Sequence, residues 1–273
     1  MTNQISRTLS PVLYLPHGGG PLPILGDKGH EKMVSFLKEI ATTLGEPSAI
    51  LVISAHWEEE QATITSNSSP GIIYDYYGFP AEAYTIHYAA PGNPVLAKEI
   101  YALLLESGVP AKLDEQRGFD HGLFVPLKLM YPEAQIPCIQ LSLLKNLDPR
   151  KHIAIGKAIA LLREKNILII GSGMSFHNLK TFFSNDIDSS RENDAFDDWL
   201  IETCINPEIL SEVREQRLIE WEKAPFARFC HPREEHLLPL HVCYGIACAG
   251  TPIAKVIFNN EVMGKKVTSF LWQ

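Results

Sequence analysis

Apolar residues arrive along the chain in short unbroken blocks separated by longer amphipathic stretches. The blocks VLYL (12–15), AILVIS (49–54), IPCIQLSL (136–143), ILIIG (167–171) and AKVIF (254–258) are rich in β-branched side chains and do not alternate with polar ones. Uninterrupted hydrophobicity over so few residues predicts strands buried on both faces. Between them, HEKMVSFLKEIATTLG (30–45), NPVLAKEIYALLLESG (93–108), RKHIAIGKAIALLREK (150–165), NDAFDDWLIETCI (193–205) and REEHLLPLHVCYGIACAG (233–250) carry the helical period. Gly45, Gly108 and Gly250 follow three of these stretches, where a left-handed cap favours glycine. Strands alternating with helices predict a single-domain α/β protein over residues 1–273, a three-layer α/β/α sandwich around a mostly parallel or mixed central sheet. No linker or repeat interrupts the pattern, and the polar SNDIDSSREND (184–194) is expected to be a mobile surface loop.

In such sheets ligands bind beyond the carboxyl ends of the strands, so the residues at those ends carry the chemistry. VLYLP runs into His17, AILVISA into His56, and ILIIG leads through Ser172 to Ser175 into His177. If these strands are parallel, their imidazoles converge on one edge, where nitrogen ligands hold a metal at about 2.0–2.1 Å. His121, between Asp120 and Gly122, precedes a short apolar helix. His231, His236 and His241 follow at five-residue spacing. On a helix each such step turns by about 140°, so at most one of them belongs to a shared site. Pro232 suits the first helical position and Glu234 and Glu235 the positive end of the dipole, which places His236 in the first exposed turns. His241, among apolar neighbours, reads as a core or interface histidine and His231 as a cap or substrate contact. His30 and His152 lie near helix starts and are expected to be solvated; His87 belongs to the aromatic stretch IIYDYYGFPAEAYTIHYAAPG (72–92), which either walls an aromatic ligand or packs as a patch under a long loop.

A formal net charge of −8 over 273 residues removes the basic face that nucleic acids and anionic membranes require. The opening MTNQISRTLS has no apolar leader, and no run approaches the roughly 18 apolar residues of a membrane span. A cytoplasmic protein with small-molecule partners, a monomer or small homo-oligomer, is the expectation. Five cysteines without a CxxC suggest neither a disulfide framework nor a cysteine zinc site.

Three chemistries remain. HGGG after a strand suits the oxyanion loop of an esterase, but the nearest nucleophile elbow, GMSFH (173–177), has His177 where the second glycine is needed. Metal-assisted hydrolysis lacks HExxH and the carboxylate clusters of two-metal sites. A mononuclear non-haem iron site needs a dedicated ligand set and separate proton-transfer groups, and the histidines suffice for both.

The motifs PHGGG, SAHWE, GFPAEAYTIHYAAPG, GFDHG, GMSFHNL and REEHLLPLHV together resemble, in order and spacing, the LigB-like class III extradiol dioxygenases, and within them the DOPA-type branch. The resemblance spans nearly the whole chain. It implies one divalent metal held by His17, His56 and His236, with Fe(II) for activity and Zn(II) possible in purified protein. Glu235 is the substitute ligand if His236 points elsewhere. It further implies His177 as acid-base residue and His121 as the group that orients substrate or stabilises oxygen. The substrates implied are a small catechol and dioxygen, and the product a ring-opened semialdehyde. The chain departs from the branch at HGGG, at Arg117 and at Arg233 and Glu234, around the pocket rather than at its ligands. The same scaffold occurs in Memo-like proteins that bind metal or partners without turnover; retention of all five histidines favours the enzyme.

Overall fold

The computed structural model describes residues 9–182 and 188–273. Along the first half run β1 (Val12–Pro16), α1 (Glu31–Thr43), β2 (Ala49–Glu59), β3 (Ala62–Thr65), α2 (Pro94–Glu106), β4 (Ala111–Asp114), α3 (His121–Met130) and β5 (Cys138–Leu144). There follow α4 (Pro149–Ala158), β6 (Ile167–Gly173), α5 (Leu179–Phe182), α6 (Asp188–Ile205), α7 (Ser211–Ile219), α8 (Ala227–Cys230), α9 (Leu238–Ala247), β7 (Lys255–Val262) and β8 (Lys265–Trp272). Local chemistry sets several boundaries. Asn93 and Asp148 cap α2 and α4 by accepting the N–H of Leu96 and Arg150, each followed by proline in the first turn.

The strands form one sheet in the order β4-β3-β5-β2-β6-β1-β8-β7. β5, β2, β6 and β1 are mutually parallel, whereas β8 pairs antiparallel with β1 and β3 antiparallel with β5. The sheet is therefore mixed, with a parallel centre whose carboxyl ends share one edge. Alternation across β6 distributes the helical layers. Gly171 and Gly173 face the α9 side, where an added Cβ would meet Pro239 and His236, while Ser172 points the other way and donates to the Gly122 carbonyl of α3. Those opposed contacts give the three-layer α/β/α architecture.

The anticipated strands are present, extended to Glu59 and Val262 in β2 and β7. Two short strands, β3 and β4, and the C-terminal β8 were not anticipated. The helix expected over 233–250 starts only at Leu238, with Pro239 rather than Pro232 in its first turn, and ends at Ala247. Gly45 and Gly108 do adopt left-handed φ values of +71° and +74°; Gly250 lies three residues past the end of its helix. Of the stretch expected to be a loop, residues 188–194 are the start of α6 and 184–187 fall outside the described residues. Residues 1–8 of the opening polar segment fall outside them as well. Among the described residues no helix is long and apolar enough to cross a membrane.

His30 and His152 are fully buried rather than solvated, because each found an acceptor and a donor nearby. His30 Nδ1 donates to Asp27 and its Nε2 accepts the Gly19 N–H; His152 Nδ1 donates to the Asp148 carbonyl and its Nε2 accepts the Leu144 N–H. His241 is a core residue as expected, bonded through Nε2 to the Leu218 carbonyl.

Candidate metal centre

β1 ends at Pro16, and the chain leaves the sheet through His17 into Gly18, whose φ of +78° a side chain rarely adopts. A Cβ on Gly18 would stand 2.7 Å from the His30 ring and from Pro23, so the glycine also lets the turn close against His30. His56 lies within β2, one strand beyond β6 from β1. His236 sits in the turn before α9, and its carbonyl is fixed by Tyr14 Oη at 2.7 Å and by the Met174 N–H at 3.1 Å. It is 4 % exposed, not in an exposed helical turn.

These three elements bring His17, His56 and His236 together. One ring nitrogen from each lies within 4.8 Å of the others, and His17 Nε2 stands 2.9 Å from His56 Nε2. Neighbouring groups settle which nitrogen carries hydrogen. Ser172 Oγ must donate to the Gly122 carbonyl at 2.5 Å, so at 2.9 Å it accepts from His17 Nδ1. Glu235 Oε1 accepts from His236 Nδ1 at 2.9 Å. Nε2 of His17 and of His236 then carries a lone pair. Burial first, and the neighbouring imidazoles second, hold all three rings well below the usual histidine range, so they are neutral. Two nitrogens facing each other at 2.9 Å in a group of neutral rings are a donor set for a cation.

His121 and His177 flank this group, each backed by a carboxylate. His121 Nδ1 lies 2.9 Å from Asp75 Oδ2, and its ring centroid is 3.8 Å from that of His56. His177 stacks on His236 at 3.3 Å between centroids, with its Nδ1 3.2 Å from Glu235 Oε1. His177 therefore joins Glu235 and His236 rather than the His17 and His56 pair that strand exits alone suggested. Glu235 lies behind His236, shared with His177. Burial, the largest single influence, opposes its charge, but the bond and charge of His177, a backbone N–H and the Arg233 charge together outweigh it and hold the carboxyl below the usual range.

The remaining candidates lie elsewhere. His231 is fully buried and bonds the Ser175 carbonyl. Ser175, the serine of GMSFH, is 2 % exposed and its Oγ accepts the Thr268 N–H of β8, which commits it to the sheet rather than to a histidine. In the segment 72–92, the Tyr74 and Tyr76 hydroxyls donate to carbonyls of the same segment, at Ile86 and Ala83. Their rings pack with Tyr84 and Phe124, and Tyr76 reaches His121 at 5.8 Å. It is a self-satisfied patch with one edge on the site.

Sequence reasoning missed Asp75 and Ser172. It also missed the group behind β2, where Asp120 accepts from Ser54 Oγ at 2.8 Å and Arg117 at 3.0 Å while Arg117 stacks on Trp57. A small polar residue in a β-branched run, as at Ser172, was the available signal for one of them.

Residues 11–271 match the family model described as the catalytic LigB subunit of aromatic ring-opening dioxygenase. The chain is 39 % identical to a 4,5-DOPA dioxygenase extradiol of Beta vulgaris, covering 90 % of each chain. It is 36 % identical to the dioxygenase tasH of Hapsidospora irregularis over 97 % of this chain and 86 % of that one. An uncharacterized protein of Escherichia coli K12, known from a crystal structure, superposes with a TM-score of 0.75 at 28 % identity, covering 97 % of this chain and 100 % of its own.

Proposed function

The chain belongs to the LigB family of aromatic ring-opening dioxygenases, and from that premise we propose that it opens a small catechol, DOPA-like or related, beside the diol to give a semialdehyde. The observation that carries the reading is the inward-facing group of neutral imidazoles from His17, His56 and His236, with two carboxylate-backed imidazoles beside it. The family match across residues 11–271 supports one catalytic unit.

His17, His56 and His236 would hold one divalent metal, Fe(II) for activity, with Zn(II) a competitor for the same nitrogens. When bound, the metal supplies Lewis acidity to the substrate oxygens and a path for electrons to dioxygen. The protein's own groups do the rest. His177 donates Nδ1–H to Glu235, which leaves Nε2 as the base that accepts a phenolic proton and later returns it. His121 orients the substrate from the opposite flank, against the Tyr76 edge. Ser172 and Glu235 keep the ligand rings in the tautomer that presents Nε2.

The test is anaerobic loading with Fe(II), then oxygen uptake and visible absorbance of the ring-opened product across a panel of catechols. Uptake that depends on iron and is lost in His177→Ala is expected. No uptake with any catechol at full metal occupancy would overturn the reading.

A further inference from the structure

Asp75 sits in the aromatic segment, 46 residues from His121, yet both of its oxygens make their shortest contacts with that one residue, His56 Nδ1 lying 3.9 Å from Oδ2. Oδ1 accepts the backbone N–H of His121 at 3.0 Å and Oδ2 faces its Nδ1 at 2.9 Å. His121 opens α3, where backbone N–H groups lack helical partners. Asp120, in the capping position, makes no side-chain cap bond because its carboxylate is taken by Ser54 and Arg117. Asp75 supplies that cap from a distant part of the chain. Its own placement is fixed on the N-terminal side, where Ile73 N–H donates to the Phe119 carbonyl at 2.8 Å and Phe119 N–H to the Gly71 carbonyl at 2.7 Å. The Tyr76 hydroxyl closes the other side on Ala83.

We propose that Asp75 is a positioning residue that locks His121 in the Nδ1–H tautomer, so that His121 meets a substrate hydroxyl as a hydrogen-bond acceptor through Nε2. A carboxylate accepts only, and with one oxygen held by the backbone N–H the other accepts from His121 Nδ1–H at 2.9 Å, the next donor, His56 Nδ1, standing farther off at 3.9 Å. Nε2 then carries a lone pair. A catechol has two hydroxyls, and a histidine acceptor on each flank of the metal group, His177 and His121, matches them. The acceptor role rests on the catechol reading above; the tautomer does not.

Asparagine separates this from a merely structural role. The backbone N–H of His121 can only donate, so in Asp75→Asn it retains the one carbonyl oxygen and the amide NH2 is left facing Nδ1. That arrangement forces the opposite tautomer, with Nε2 as the donor. If Asp75 were only a cap, Asp75→Asn would be milder than Asp75→Ala, since it keeps the cap bond. The proposal reverses the order for turnover: kcat falls ~100-fold or more in Asp75→Asn, as expected for a histidine held in the wrong tautomer, and less in Asp75→Ala, while KM and metal content change little.

The direct readout is the long-range proton–nitrogen spectrum of uniformly 15N-labelled, zinc-loaded protein, with the His121 ring assigned by its disappearance in His121→Gln. Wild type is expected to show protonated Nδ1 at His121 and Asp75→Asn protonated Nε2. An unchanged His121 tautomer in Asp75→Asn overturns the proposal, and a flipped tautomer with undiminished kcat overturns the acceptor role. If wild type opens no catechol, the proposed function fails, while the nitrogen spectrum still decides the tautomer.

Discussion

Replacing Gly173 with alanine would push the turn before α9 away from the sheet and take His236 with it. An added Cβ would stand 2.1 Å from the His236 carbonyl oxygen and 3.1 Å from Tyr14 Cε2. Carbon and oxygen in close contact sit at about 3.3 Å, so His236 must move by roughly 1.2 Å or β6 must yield by as much. That displacement loosens the bonds from Tyr14 Oη and Met174 N–H to the same carbonyl. Two bonds at about 1 kcal/mol each, with an overpacking cost of about 1–3 kcal/mol, give a loss of about 3–5 kcal/mol. Metal ligands tolerate only about 0.2 Å, so affinity should fall at least ~10-fold. The assay is chelator competition for the metal, beside a thermal melt of the metal-free protein. Tyr14→Phe is the control: it removes one bond without pushing the backbone, and should cost about 1 kcal/mol of stability while leaving affinity within a few-fold. Wild-type affinity in Gly173→Ala would refute the claim that this close approach sets the ligand geometry.

Three further outcomes are expected. His17→Ala, His56→Ala and His236→Ala should each lose bound metal by elemental analysis, and retention in any one removes that residue from the ligand set. Ser172→Ala leaves His17 Nδ1 without its acceptor and should weaken metal binding ~10–100-fold; unchanged affinity would mean the tautomer is held by something else. Burial depresses His152 to about 4, against the pull of the Asp148 carbonyl. Below its ordinary value near 6.5 the unfolded chain binds a proton that the native state refuses, so stability is present above that pH and is lost as pH falls to about 4, by on the order of 3 kcal/mol. Urea midpoints measured across that window should fall less steeply in His152→Gln, and parallel curves would contradict the assignment.

The central strands were legible because β1, β2, β5 and β6 are buried on both faces, which forces continuous apolar runs whatever lies around them. β3 and β4, at four residues each, are too short to show any period. β8, joined to β7 by a turn through Met263 and Gly264, both with positive φ, was hidden because Lys265, Lys266, Thr268 and Ser269 break its apolar run, although all of its residues but Lys266 are buried. The histidines were visible one by one, but their partners were not. Pro232 suggests a helix start and so an exposed helical turn for His236; α9 in fact starts at Leu238, with Pro239 in its first turn. Nothing local ties an aspartate among tyrosines to a histidine 46 residues later, and only the pairing of segment 71–73 with Phe119 brings Asp75 to His121. His30 and His152 were misread for the same reason, since their burial depends on partners that tertiary packing supplies.

In the proposed reaction the group of five histidines opens a catechol ring with both atoms of dioxygen. The most direct test is turnover of the iron-loaded protein under 18O2, with the aldehyde reduced at once to prevent exchange, and mass analysis of the product. Two heavy oxygens in one ring-opened molecule, one in the carboxylate and one at the reduced aldehyde, are predicted. A product with fewer than two, or an oxidised catechol with its ring intact, would contradict the account.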